Sequence, residues 1–336
     1  MSFAMSPAGD SQHRPARAVV VAVAALLWLL AGPALALCEG YGPQTPRNIA
    51  DAHGRNAVMF DFAPPAAEMN LCNIHTHTNA EHMGPGFSVY AGPGEHGGFR
   101  CSGSSRLTAQ ELTRPGDPLP ASAQDDDHAD AHGTGHGDSH GQDIAADHDT
   151  DHGADHGADG TVTRASTGHG ADMGTDHGGS TRFDGVEPGD TIEVHWVFTS
   201  CPVDPGPGLG SCLSAGCANP QLRVESQVFL VVNDPNALDF MDFAYRGTMR
   251  AGLHQPRALP TGSGNPVVFR GSTTGPKYDQ STCSPLQVTW SVRPRCTRLN
   301  IATLDAWAAG GNVFEETHSH GVRQLVTAPE LLAPID

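Results

Sequence analysis

The chain has 336 residues, with 37 acidic against 19 basic side chains, a formal charge of -18 and eight cysteines. So few Lys and Arg, so widely spread, exclude a phosphate-tracking nucleic-acid surface and disfavour an anionic membrane as partner. Hydrophobic residues at 38% and charged residues at 17% are both low for a globular domain, so part of the chain is not core.

In chain order, Arg14 and Arg17 precede the apolar run Ala18 to Ala31, which is followed by Pro33 and Ala34-Leu35-Ala36. Basic, apolar and small-residue regions in that order predict a secretory signal peptide over residues 1–36. The apolar run is shorter than the roughly 20 residues a spanning helix needs, so no stable membrane anchor is expected and the mature chain is exported, to a periplasm or outside the cell. All eight cysteines (Cys38, Cys72, Cys101, Cys201, Cys212, Cys217, Cys283 and Cys296) lie beyond the leader. An even number in an oxidising compartment predicts up to four disulfides, with connectivity left open.

From Asp125 to His177 the composition turns to His, Asp, Gly, Ala, Ser and Thr, with nine of the 19 histidines and thirteen aspartates against the single Arg164. Such a stretch cannot bury enough apolar surface to offset the entropy of ordering, and residues 125–177 are expected to be a disordered insertion. Histidines every four residues, as at His128, His132, His136 and His140, give it the character of a loose binder of extra metal ions, without a part in catalysis. Residues 37–124 and 178–336 then form one domain.

Within that domain, strand-like runs dominate: Asn70 to Thr78, Thr191 to Thr199, Leu222 to Val232, Pro266 to Gly271, Leu286 to Arg293 and Arg298 to Ala302. They are rich in Val, Ile, Thr, Trp and Phe and are divided by Gly/Pro turns, while a short helix is expected near Leu304 to Ala309. The predicted fold is mainly β: an antiparallel β-sandwich or jelly-roll-like single domain.

Two histidine motifs lie in these strands. In NLCNIHTHT, His75 and His77 are two residues apart and share one face, so both imidazoles can converge on one ion while Thr76 faces away. In TIEVHWVF, the same parity sets Glu193 beside His195, with Val194 and Trp196 on the other face. Three histidines without a carboxylate form a catalytic zinc set with an open fourth position, which lowers the pKa of bound water to about 7. Glu193 is suited to accept the second ring N–H of a ligand histidine.

The segments NLCNIHTHTNAEHMGPGFSVYAG, GDTIEVHWVFTSC, LGSCLSAGCANPQLRVESQVFLVVND, GSTTGPKYDQSTCSPLQVTWSVRP and ETHSHGVRQLVTAPELLAPI together resemble the delta-class carbonic anhydrase family. The likeness spans nearly all of the two ordered blocks and leaves the acidic tract out. It implies a zinc-dependent carbonic anhydrase that hydrates carbon dioxide reversibly to bicarbonate by zinc-bound hydroxide, with Cd2+ or Co2+ as substitutes for Zn2+. His75, His77 and His195 are then the ligands. The proton shuttle is expected at His82, or at His318 or His320 of ETHSHG, and each of these is also an alternative ligand. A hydroxyl that orients the nucleophile is expected among Thr76, Thr78, Thr191, Thr199 and Thr289. The competing readings are a non-catalytic exported zinc-binding or buffering protein, and a β-barrel metal oxygenase with Glu193 or Glu81 on a redox metal.

Overall fold

The structure is a computed structural model that describes residues 38, 40–120, 182–275, 277–279 and 281–336. The expected leader (1–36) and the expected insertion (125–177) lie outside the described residues.

The described chain is mainly β, and its centre is one six-stranded sheet with the order β1-β4-β5-β9-β8, β10 lying beside β5. The strands are β1 (Asn70–Thr78), β4 (Thr191–Thr199), β5 (Leu222–Val232), β8 (Val267–Ser272), β9 (Gln287–Val292) and β10 (Thr297–Asn300). The first three coincide with the runs read from sequence, and the others differ by one or two residues. The ribbons β2 (Val89–Gly92) with β3 (Gly98–Arg100), and β6 (Met249–Arg250) with β7 (Leu253–His254), were not anticipated, nor was the one-turn helix α1 (Ala109–Leu112). Each of these is too short to show a period in sequence.

Pairing is antiparallel for β1–β4, β4–β5 and β8–β9. It is parallel where β5, 11 residues long, takes β9 along Arg223–Ser226 and β10 along Phe229–Val232. The two parallel pairings distinguish this sheet from the purely antiparallel sandwich expected: β9 and β10 are consecutive, and the turn between them lets one long strand serve both.

Every residue of β4 is buried, so the sheet is covered on both faces. Ile74, Ile192, Val194, Trp196, Phe229 and Val231 point into one cluster, closed by α2 (Ile301–Ala309) through Ile301, Leu304 and Trp307. That helix starts three residues earlier than predicted because Asn300 caps it, its side chain accepting from the Ala302 amide. The opposite face carries Val197, Val224, Val228, Phe269, Val288 and Trp290. By parity this second face also carries the histidines. Four disulfides, Cys38–Cys283, Cys72–Cys212, Cys101–Cys296 and Cys201–Cys217, use every cysteine. Among the described residues no helix is long and apolar enough to cross a membrane.

Candidate metal centre

Antiparallel register sets His75 directly opposite His195, and His77 opposite Glu193. The one-face parity of the two motifs therefore becomes one patch of three imidazoles on neighbouring strands. One ring nitrogen from each of His75, His77 and His195 lies within 4.8 Å of the other two.

The second nitrogen of each ring has its own acceptor. His75 Nδ1 lies 2.6 Å from Asn73 Oδ1, and Asn73 Nδ2 donates to the Gly206 carbonyl, so the oxygen faces the ring and takes its proton. His77 Nδ1 donates to the Gly321 carbonyl at 3.0 Å, and His195 Nε2 donates to Glu193 Oε1 at 3.1 Å. Those bonds fix the tautomers and leave His75 Nε2, His77 Nε2 and His195 Nδ1 as bare lone pairs.

These three atoms fit a metal ion. His75 Nε2 and His195 Nδ1 stand 3.3 Å apart with no proton between them, and His77 Nε2 is buried without a hydrogen-bond partner. Facing lone pairs and an orphaned buried acceptor are costly arrangements that a cation relieves. Two ligands of a tetrahedral ion with bonds of 2.0–2.1 Å lie about 3.3–3.4 Å apart.

Electrostatics keep the rings neutral. Burial holds His75 well below the usual imidazole range, with the neighbouring His77, His195 and His320 adding to the shift. Burial takes His77 down to about 4 against the hydrogen bond to Gly321, and it lowers His195 against the pull of Glu193.

Behind the rings lies a buried polar layer. Burial opposes ionisation of Glu193, but His82 and the His195 hydrogen bond outweigh it and hold the carboxyl well below its usual range. Its Oε1 accepts from His195, from His82 Nδ1 at 2.9 Å and from the Ser226 hydroxyl, and its Oε2 from the Glu81 amide at 2.7 Å. His82, Glu193 and His195 also form a potential metal-holding group, but their direct hydrogen bonds leave no gap for an ion. Glu81, its carboxyl pushed up by burial, lies 3.7 Å from Nδ1 of His77, the nitrogen turned away from the centre. Both carboxylates that an oxygenase site would need on the metal thus stand behind the histidines.

His82 is fully buried, its ring 4.8 Å from that of Trp290 and 5.8 Å from that of Phe269. It lacks the solvent access a proton shuttle requires. The reason is the turn at Asn79, held at φ 66 by side-chain bonds to the His96 and Gly97 carbonyls, which folds the chain after β1 back under the sheet.

His320 is placed differently. The segment around it runs along the free edge of β1: the Thr78 amide donates to the His320 carbonyl, and the His320 amide to the Thr76 carbonyl, both at 2.8 Å. Its ring, 43% exposed, donates Nε2–H to Glu316 at 3.1 Å, which raises its pKa, and lies 6.1 Å from that of His75. His318 is exposed, with its ring 5.1 Å from that of His320.

Among the hydroxyl candidates, Thr76 meets Glu316 and Ser319, Thr191 accepts from the Cys101 amide, Thr199 donates to the Cys212 carbonyl and Thr289 accepts from the Ala63 amide. None of those four faces the three lone pairs. Sequence reasoning missed Asn73 and Glu316. Asn73 had a readable signal, being two residues before His75 and so on the same face; Glu316 is brought in by tertiary packing alone.

The three histidines open into a cavity of about 460 Å³ with apolar walls that include Val197, Leu213, Val224, Val288 and Trp290. Fold and site together define a β-sheet protein with a three-histidine, metal-ready centre at the end of an apolar cavity. The chain matches the delta carbonic anhydrase family model over residues 66–133 and 126–303, and it belongs to that family. No curated protein matches it.

Proposed function

We propose that the protein is a zinc-dependent carbonic anhydrase that interconverts carbon dioxide and bicarbonate. The observation that carries the reading is the trio of bare ring nitrogens, each fixed by an acceptor behind it, at the end of an apolar cavity. His75 Nε2, His77 Nε2 and His195 Nδ1 would hold the ion, Zn2+ by preference, with Cd2+ or Co2+ as substitutes. An ion held by three neutral imidazoles acts as a Lewis acid and brings the pKa of a bound water to about 7.

The chain's own residues do the rest. Val197, Val224, Val288 and Trp290 offer uncharged carbon dioxide an apolar wall and keep competing water away. Asn73, the Gly321 carbonyl and Glu193 hold the rings in orientation. His320, partly exposed, with Nε2 on Glu316, moves the product proton to solvent at Nδ1. His82 supports Glu193 from the interior. Four disulfides fit an exported protein.

Stopped-flow hydration by the zinc-loaded protein tests the reading, beside His77→Ala and a variant lacking residues 125–177. Fast hydration that the histidine change abolishes and the deletion spares is expected. No hydration above buffer despite bound zinc would overturn it in favour of an exported zinc buffer.

A further inference from the structure

A second groove, of about 360 Å³, lies among Arg106, Leu107, Leu230, Arg295, Thr297 and Arg298, a lining with no residue in common with the metal-site cavity. Its charge is out of keeping with the chain. With 37 acidic side chains for 19 basic ones, an exposed arginine would ordinarily meet a carboxylate. Arg298 does, bonding Glu111 and lying 3.4 Å from Asp234. Arg106 and Arg295 are exposed, and neither meets a carboxylate among the described residues.

A second observation is independent of charge. The Thr297 hydroxyl on the same groove is buried and has no hydrogen-bond partner, as a donor or acceptor waiting for a ligand would be. The walls are also preorganised. The Cys101–Cys296 disulfide ties β3 to the strand that carries Arg295 and Thr297. Gly86 lies so close to that strand that a Cβ there would stand 3.1 Å from Arg295 Cα. Leu107 and Leu230 supply an apolar side.

We propose that this groove binds an organic oxyanion, a phosphate monoester or carboxylate with a small apolar body. The planar, always-charged forks of Arg106 and Arg295 would take the oxyanion, the Thr297 hydroxyl would donate to it, and the leucines would cover the body. The volume suits such a molecule better than a bare inorganic ion.

Calorimetric titration of the zinc-loaded full chain at low ionic strength tests this, with phenyl phosphate, benzoate, inorganic phosphate and uncharged benzyl alcohol as probes. Saturable one-to-one binding is expected for phenyl phosphate or benzoate, and whichever binds more tightly identifies the head group. Inorganic phosphate should bind more weakly, and benzyl alcohol not at all. The Arg106→Ala/Arg295→Ala pair should weaken binding at least tenfold, and Thr297→Val about threefold. Equal affinity in wild type and the double variant would overturn the assignment. So would loss of binding in His77→Ala, because the probe would then sit at the metal centre. Carbon dioxide hydration should be unchanged in the arginine pair, so this result stands or falls separately from the carbonic anhydrase reading.

Discussion

Asn73 and His75 sit two residues apart on one face of β1, and the Asn73 amide oxygen takes the His75 Nδ1 proton at 2.6 Å while its nitrogen donates to Gly206. One side chain therefore fixes a ring of the centre and is itself fixed by a loop. Asn73→Ala should lower metal affinity roughly 10–100-fold without unfolding the protein. Competition with a graded chelator reads the affinity, and thermal melting checks the fold. Unchanged affinity would show that the His75 ring is held by packing alone.

Glu193 is an acceptor for two histidines, a serine and two backbone amides, all buried. Glu193→Gln keeps the shape but places a donor among donors and removes the charge that His82 and His195 face. Loss of about 3–5 kcal/mol is expected, as for one partner taken from a buried ionic group. Urea unfolding of the metal-free protein measures it, and a loss under 1 kcal/mol would contradict the arrangement.

Acid should act on the same rings. His77 titrates at about 4 when folded and near 6.5 when unfolded, and His75 and His195 shift the same way. Between those values the unfolded chain holds the extra protons, so stability rises with pH across that window. The contribution is complete above pH 6.5 and disappears as pH falls towards 4. Urea midpoints of the metal-free protein at pH 7, 5.5 and 4.5 should fall in that order; a flat series would mean the rings are not buried.

The Cys72–Cys212 disulfide begins three residues before His75 and ends in the cavity wall. It closes a separation of 140 residues, and the Cys72→Ala/Cys212→Ala variant should lose about 2–5 kcal/mol. The loss should be accompanied by weaker metal binding, since the wall at Leu209 and Leu213 is no longer tied to β1. Denaturant unfolding and chelator competition on one preparation separate the two effects.

Much of the centre was legible because a strand's period of two is strict. His75 with His77, and Glu193 with His195, had to share faces, and only the register joining them had to be supplied by the fold. What parity cannot carry is the path of the chain between strands. His82 looked like a surface residue five positions beyond a ligand pair, yet the Asn79 turn buries it against Trp290. Glu316 and His320 reach the site only by lying along β1 from more than 230 residues away. The parallel pairings of β5 were hidden for the same reason, since hydrophobic pattern marks a strand and not its neighbour.

That distance in sequence has a consequence for biosynthesis. Gly321, which orients His77, is among the last residues to leave the ribosome, and Asn73 is among the early ones. The pocket for the ion therefore cannot exist on a nascent or threading chain, and closing so long a loop is slow compared with local structure. Metal loading must follow completion of the sheet, so the ion captured is the one on offer where folding finishes rather than where translation begins.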